Sequence, residues 1–146
     1  MCLVLRDIGC GRGELSLALS QAHPEASILS CDLFFDGVTF LLQSLVQEKI
    51  ENVSILYEDA TCIWEHVPDS SIDQMFLFYP DPWPKTKHHK RRFIAQDVLL
   101  KNVHRALKKG GVFSLKTDVK SYFLHGVKNL NRYFEYTLSK LSLIHI

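Results

Sequence analysis

Five aspartates recur along the sequence, each at or just after the end of an apolar run typical of a strand: Asp7, Asp32, Asp59, Asp81 and Asp118. A single aspartate at such a place is usually a turn or helix-capping residue. The carboxyl ends of parallel strands, however, meet at one edge of a sheet, where α/β proteins bind their ligands. Five carboxylates at equivalent positions therefore predict that most of them line one site.

A glycine-rich stretch follows the first apolar run, with glycines at positions 9, 11 and 13. Glycines at this spacing allow a tight turn in which the backbone approaches a ligand at the N-terminus of a helix. Asp32 follows about 20 residues later, where an acid accepts hydrogen bonds from both hydroxyls of a cofactor ribose. NAD and S-adenosylmethionine both carry such a ribose, so these two features leave both cofactors open.

Two details favour S-adenosylmethionine. Position 14 is Glu, so the third glycine of the dinucleotide-binding pattern Gly-x-Gly-x-x-Gly is absent. Asp59, which Ala60 follows, suits an acid that accepts a hydrogen bond from an adenine amino group. An acidic pocket is costly beside phosphates but tolerable beside a sulfonium cofactor, which has no pyrophosphate. We therefore expect Gly9, Gly11 and Asp32, together with Asp59, to bind this cofactor.

The second candidate segment begins where the fourth apolar run ends. Asp81 lies between Pro80 and Pro82, and the two prolines hold its backbone extended and its carboxylate in a fixed place. Trp83 offers a flat face on which a base could stack, an interaction worth about 1–3 kcal/mol. The alternative is that Trp83 is a core residue beneath the loop.

A basic segment, residues 85–92, comes next, with five cations and no acid: Lys85, Lys87, Lys90, Arg91 and Arg92. It lies in the basic part of an asymmetric chain. Residues 1–81 hold 3 Lys/Arg and 13 Asp/Glu, whereas residues 82–146 hold 14 and 3. Such asymmetry indicates that one part of the surface meets a polyanion, and the segment is expected to contact phosphates. The alternative is the solvated start of a helix.

Together these residues resemble the signature of the single-chain bacterial tRNA (guanine-N7-)-methyltransferases. The resemblance runs from Leu5 to about Tyr133 and includes residues 7–11, 80–92 and 116–118. The string Pro-Asp-Pro-Trp, followed by Lys and then by His-Lys-Arg-Arg, is its most specific part.

The resemblance implies a role for each matching residue. Asp7, Asp32, Asp59 and Asp81 match positions that bind S-adenosylmethionine, and Asp81 lies where the family has its active centre. Substrate-binding positions are matched by Lys85 and Asp118, and we expect Trp83, Lys87, Lys90 and Arg91 on the same side. The implied reaction methylates N7 of a guanine in the variable loop of tRNA. The implied setting is the cytoplasm, with tRNA as partner and no obligatory protein subunit.

This chemistry suits the residues. Guanine N7 has a free lone pair, so methyl transfer requires alignment and electrostatic support rather than a base. A fixed carboxylate such as Asp81 could stabilise the cationic purine as it forms. Three alternatives stay open: a methyltransferase of a small molecule or protein, an NAD-dependent oxidoreductase, and a catalytically inactive RNA-binding fragment of the fold.

Strands alternating with helices predict an α/β protein with a doubly wound, mostly parallel sheet. The resemblance implies the Rossmann-like fold of the class I S-adenosylmethionine-dependent methyltransferases. Strands are expected at residues 3–5, 27–31, 53–57, 73–79, 112–116 and 133–139, and helices at 14–21, 37–49, 91–107 and 120–130. The inward residues of the first two helices are predicted to be Leu15, Ala18, Leu19, Phe40, Leu41, Leu45 and Val46.

Length and composition complete the picture. With 146 residues, of which 47% are hydrophobic, the chain can bury the core of one domain. It has neither a secretory signal nor an apolar run of the roughly 20 residues that a membrane helix needs. The four cysteines are expected to be buried thiols, with no metal site. Relative to the family, a segment before the first strand and the final antiparallel strand are missing. We expect residues 1–140 to be one incomplete domain and residues 141–146 a non-native tail.

Overall fold

The computed structural model describes residues 3–134, which form one sheet with helices on both faces. The five strands are β1 (Val4–Ile8), β2 (Ser27–Asp32), β3 (Val53–Tyr57), β4 (Ile72–Phe78) and β5 (Leu107–Lys116). Their order is β3-β2-β1-β4-β5 and every neighbouring pair is parallel. The predicted doubly wound parallel sheet is confirmed.

Four α-helices connect the strands: α1 (Glu14–Ala22), α2 (Phe35–Glu48), α3 (Asp97–Ala106) and α4 (Lys120–Leu130). Short 3₁₀-helices occupy Trp64–His66, Thr86–Arg91 and Phe93–Ala95. Two clusters of buried side chains cover the sheet. One packs Leu41 and Leu45 of α2 on Leu5, and the other packs Val103 of α3 and Tyr122 of α4 near Met75. No helix in this part of the chain is long and apolar enough to cross a membrane.

The inward faces of the first two helices differ from the prediction. In α1 Leu15 and Leu19 are partly buried against the core, as expected, but the fully buried residues are Ser16 and Ser20, and Ala18 is exposed. In α2 Leu41 and Leu45 are buried, as expected, but Phe40 is 39% and Val46 is 71% exposed.

Close backbone approaches explain the rotation of α2. A Cβ atom at Gly37 would collide with the carbonyl oxygen of Gly11, and one at Gly13 would collide with the side chain of Leu41. These contacts turn the Gly37–Leu41 side of the helix toward the glycine turn, and they leave Phe40 and Val46 outside.

The single helix predicted over residues 91–107 is wrong. Arg92 and Gln96 have extended backbone (ψ 136° and 100°), so two 3₁₀-turns precede α3, which begins at Asp97. Leu107 already belongs to β5. Gly110 lies in an irregularity of β5 and has a φ of +81°.

The bounds of two strands also differ from the prediction. β1 was expected to end at Leu5 but continues to Ile8, which places Asp7 inside the strand. In the strand predicted at residues 133–139, Tyr133 lies in a turn and Phe134 is not in a strand, and the remainder lies outside the described residues. The proposed tail, residues 141–146, lies outside them as well.

Candidate functional site

Four of the five predicted aspartates meet at the carboxyl edge of the sheet. Asp32 is the last residue of β2, and Asp59, Asp81 and Asp118 follow the ends of β3, β4 and β5 within three residues. The glycine turn, residues 9–13, follows β1 at the same edge. Because all five strands are parallel, the topology brings these groups to one side of the molecule.

Asp32 holds the glycine turn in place. Its Oδ2 accepts a hydrogen bond from the backbone N–H of Gly11 at 2.6 Å, and its Oδ1 accepts one from Phe34 at 2.8 Å. The N–H groups of Gly9 and Cys10 donate to the carbonyl oxygen of Cys31 at 2.9 and 3.1 Å. Since a carboxylate has about four lone-pair sites, Asp32 can accept further bonds from hydroxyl groups.

The backbone of the turn leaves open space above it. Gly9 and Gly11 have φ values of +71° and +54°, a region that glycine enters without strain. A Cβ atom added at either position would meet nothing within 4 Å. A ligand can therefore approach the backbone closely here.

Asp7 lies beneath the turn, inside β1, and is only 2% exposed. The hydroxyl of Ser16 donates to its Oδ2 at 2.6 Å and is itself 2.7 Å from the hydroxyl of Ser30. Burial raises the pKa of Asp7 to about 6; the bond from Ser16 lowers this pKa and the negative charge of Asp32 raises it. Asp7 therefore links β1 to α1, the helix that follows the turn, and through Ser16 to β2.

The cysteines near the turn are not reactive thiols. Cys10 and Cys31 are buried, and desolvation raises their pKa values to about 12 and about 11. Thiols with such pKa values stay protonated at neutral pH and are poor nucleophiles. Cys62 is exposed, contrary to the expectation that all four are buried, and Cys2 lies outside the described residues.

Asp59 organises the chain after β3. Its Oδ1 accepts a hydrogen bond from the backbone N–H of Thr61 at 2.8 Å, and its carbonyl oxygen accepts one from Cys62 at 2.9 Å. This is an Asx-turn, which fixes the direction of the Asp59 side chain at the edge of the sheet.

The loop that carries Asp81 has an unusual backbone. Asp81 is exposed and stands between Tyr79 and Trp83, whose φ values are +50° and +43°. Bulky residues rarely adopt positive φ, and such strain is concentrated at functional sites. The backbone N–H of Tyr79 donates to the carbonyl oxygen of Lys116 at 2.7 Å, which ties the start of this loop to β5.

The basic segment folds as the 3₁₀-helix Thr86–Arg91, in which side chains three residues apart share a row. Lys87 and Lys90 form an exposed row. His88 and Arg91 form a row against Trp83: the His88 ring is 5.9 Å from the Trp83 ring, and the Arg91 guanidinium lies 4.9 Å from it. Half-buried Trp83 is therefore held by the basic segment rather than buried in the core.

The prediction that the cations of this segment contact phosphates is wrong for Arg92, which is completely buried and cannot reach a phosphate. Its Nε donates to the carbonyl oxygen of Pro82 at 2.8 Å. Nη1 and Nη2 donate to the carbonyl oxygen and Oγ of Ser121, both at 3.1 Å. The exposed cations here are four: Lys85, Lys87, Lys90 and Arg91. Sequence reasoning missed Ser121, since an isolated serine carries no signal.

Asp118 is exposed in the bend between β5 and α4. The Lys116 ammonium, at the end of β5, lies 5.6 Å from the rings of both Phe78 and Tyr79.

Within residues 3–134, no three His, Cys, Asp or Glu side chains form a group that could hold a metal ion.

Comparison with known proteins decides the family. A family model described as "Putative methyltransferase" matches residues 2–143. The chain belongs to this methyltransferase family.

Two solved methyltransferases share its fold. Precorrin-6y C5,15-methyltransferase of Geobacter metallireducens GS-15 has a TM-score of 0.73 at 21% identity, over 90% of this chain and 61% of its own. A SAM-dependent O-methyltransferase of Thermotoga maritima has a TM-score of 0.66 at 21%, over 88% and 43%.

This methyltransferase is also similar to proteins named tRNA (guanine-N(7)-)-methyltransferase. The one from Paracoccus denitrificans is 40% identical over 116 residues, which are 80% of this chain and 49% of that protein. The one from Agrobacterium fabrum is 36% identical over 133 residues, 90% of this chain and 57% of that protein. The chain thus spans about half the length of the curated relatives that it matches.

Proposed function

We propose that the protein transfers a methyl group from S-adenosylmethionine to N7 of a guanine in the variable loop of tRNA. The observation that carries this proposal is the position of the Asp81 loop. It lies at the same sheet edge as the glycine turn and Asp32, directly before the exposed cations of residues 85–91. The names of the relatives support the same reaction.

The cofactor fits the geometry of the turn. The open space above Gly9 and Gly11 admits a ligand close to the backbone, and the free acceptor sites of Asp32 suit the two ribose hydroxyls. Asp59, fixed by its Asx-turn, would accept from the adenine amino group. When bound, the cofactor supplies a methyl group on a sulfonium sulfur.

The reaction needs little from the protein beyond alignment. The N7 lone pair forms a bond to the methyl carbon as the carbon–sulfur bond breaks, and sulfur keeps that electron pair. The purine becomes positively charged, so the carboxylate of Asp81 would stabilise it electrostatically. No proton has to leave before attack, so no general base is needed.

The exposed cations would hold the RNA. Lys85, Lys87 and Lys90, with Arg91, would contact phosphates or the target nucleotide, and Trp83 and Asp118 would complete the substrate side. We propose that it acts on tRNA without an obligatory second protein subunit. We place the protein in the cytoplasm.

The test replaces one atom of the substrate. The complete gene product is incubated with methyl-labelled S-adenosylmethionine and a tRNA that contains either guanosine or 7-deazaguanosine in its variable loop. We expect label in the guanosine tRNA alone, because 7-deazaguanosine has no nitrogen at position 7. Label in both tRNAs would show a different target atom. Binding of tRNA without labelling of either would favour a non-catalytic RNA-binding protein.

A further inference from the structure

Arg92 is the most unusual charged residue in the described part of the chain. The basic segment exposes most of its side chains, yet Arg92 has no accessible surface. Its three hydrogen-bond acceptors are the carbonyl oxygen of Pro82 and two oxygens of Ser121, and all are neutral. Burial of a charge is costly where its hydrogen-bond acceptors are neutral, so we expect this arrangement to stabilise the conformation of the segments that Arg92 joins.

The guanidinium joins the Asp81 loop to the start of α4. Pro82 directly follows Asp81, whereas Ser121 lies in the first turn of α4. The Arg92 guanidinium is also 5.2 Å from the ring of buried Tyr122. The far end of α4 is tied down as well, since the side chain of Asn129 donates to the carbonyl oxygen of Ile94 at 2.8 Å.

The loop requires such support because its own backbone is strained. Tyr79 and Trp83 both have positive φ, and Asp81 between them is exposed. At the start of the loop, the Tyr79 N–H bonds to β5, and at the end the Pro82 carbonyl accepts from Arg92. Strained conformations persist only where the surroundings determine them.

We propose that Arg92 is a positioning residue for methyl transfer, which fixes Asp81 and Trp83 by clamping the Pro82 carbonyl to the start of α4. The inference rests on the proposed function, in which Asp81 supports the reacting purine. Arg92 itself touches neither tRNA nor cofactor. A misplacement of about 1 Å in a catalytic group can cost on the order of a hundredfold in rate.

The chain contains a matched control for this clamp. Arg105 also donates to loop carbonyl oxygens, those of Val67 at 2.8 Å and Trp64 at 2.9 Å, and pairs with Asp69. Arg105 is in the last turn of α3, just before β5 begins, and its acceptors precede β4, so these contacts lie at the opposite edge of the sheet from Asp81. Loss of the hydrogen bonds of the Arg105 guanidinium should destabilise the fold and leave the active centre unchanged.

The kinetic experiment compares Arg92→Lys, Ser121→Ala and Arg105→Lys in the complete gene product, well below the melting temperatures. Lysine keeps the charge of Arg92 but cannot reproduce the fork that reaches both Pro82 and Ser121. We expect Arg92→Lys to slow single-turnover methyl transfer about tenfold or more, with the KM for tRNA within about threefold. Ser121→Ala, which removes one acceptor from an exposed residue, should slow it about two- to fivefold. Arg105→Lys should turn over at the parental rate.

A spectroscopic experiment examines the loop without reference to activity. In the complete gene product, with Trp64 and any tryptophan outside residues 1–146 replaced by Phe, Trp83 reports on the loop by acrylamide quenching. Arg92→Lys should increase the quenching of Trp83, whereas Arg105→Lys should not.

Each outcome supports or overturns the clamp. Parental turnover by Arg92→Lys, or equal rate losses in Arg92→Lys and Arg105→Lys, would reduce Arg92 to a stabilising residue. Unchanged Trp83 quenching in Arg92→Lys would overturn the clamp even if the parent protein does not methylate tRNA. Increased quenching in an inactive parent would instead leave the clamp standing and refute the proposed function.

Discussion

At the scale of single residues, the two acids that matter most differ in how the fold uses them. Asp32 is half-buried and already accepts two backbone hydrogen bonds, so it is part of the architecture as well as of the proposed cofactor site. Asp81 is exposed in a strained loop, so the fold gains little from its charge. Substitution of Asp32 should therefore weaken cofactor binding, whereas substitution of Asp81 should slow the chemical step and leave folding nearly unchanged.

Replacement of Asp32 should abolish most of the affinity for S-adenosylmethionine. Asp32→Ala loses two charge-assisted hydrogen bonds to the ribose, a loss of about 2–4 kcal/mol, and also releases the N–H of Gly11 from the turn. Asp32→Asn should be milder, because an amide oxygen still accepts. Titration calorimetry measures the effect, with exposed Asp36→Asn as the control. Parental affinity in Asp32→Ala would remove Asp32 from the cofactor site.

Replacement of Asp81 should affect the chemical step and leave folding nearly unchanged. Asp81→Asn keeps the shape of the side chain and removes the charge that would face the cationic purine. We expect the single-turnover rate to fall about a hundredfold or more, while the free energy of unfolding changes by less than about 1 kcal/mol. Rapid-quench assays at saturating tRNA and cofactor, with a melting curve, measure both. A variant that turns over at the parental rate would show that Asp81 is only a turn residue.

At the scale of elements, the sequence predicts the features that depend on residues close together in the chain. The glycine turn and the helix over Lys120–Leu130 follow from spacing and were predicted correctly, and β2 ends one residue beyond the predicted strand, at Asp32. The burial of Arg92 could not be predicted, because its acceptor Ser121 is 29 residues away and the cations just before it, Lys90 and Arg91, are exposed. The serine face of α1 was missed for a similar reason: Ser16 is buried because it bonds to Asp7 and Ser30.

The 3₁₀-helix of the basic segment makes a specific prediction for RNA binding. Neutralising Lys87, Lys90 and Arg91 together should weaken tRNA binding and reduce its logarithmic salt slope by roughly 0.7–0.9 per lost phosphate contact. Binding of S-adenosylmethionine should barely change. Filter binding over a range of salt concentrations measures the slope.

The control for this triple variant is Lys109→Gln. Lys109 is exposed near the start of β5, at the opposite edge of the sheet from the basic segment. Its removal should leave the salt slope at the parental value. An unaltered slope in the triple variant would mean that these side chains are ordinary solvated charges and that the RNA binds elsewhere.

At the scale of the whole molecule, the site and the fold compete for the same buried position. The face of the sheet under α1 contains a buried carboxylate, Asp7, and burial, which disfavours its charged form, raises its pKa to about 6. The acids with lowered pKa, Asp73 and Asp97, act in the opposite direction and at lower pH. Asp73 and Asp97 stabilise the fold at pH values above the pKa of the unfolded chain. This stabilisation is lost as the pH falls below that value, outside the range in which Asp7 titrates.

The last prediction follows from the sign of the Asp7 shift. Its pKa is 3.8 in the unfolded chain and about 6 in the folded protein, so between these values the folded state binds a proton that the unfolded state releases. Stability must therefore fall as the pH rises through this window, by about 2–3 kcal/mol in total. Asp7→Asn removes the titration and keeps an acceptor for Ser16. The free energy of unfolding of the variant relative to the parent, from urea denaturation, should thus increase by that amount between pH 4 and pH 7. A difference that is constant with pH would show that Asp7 titrates normally and that its burial does not oppose folding.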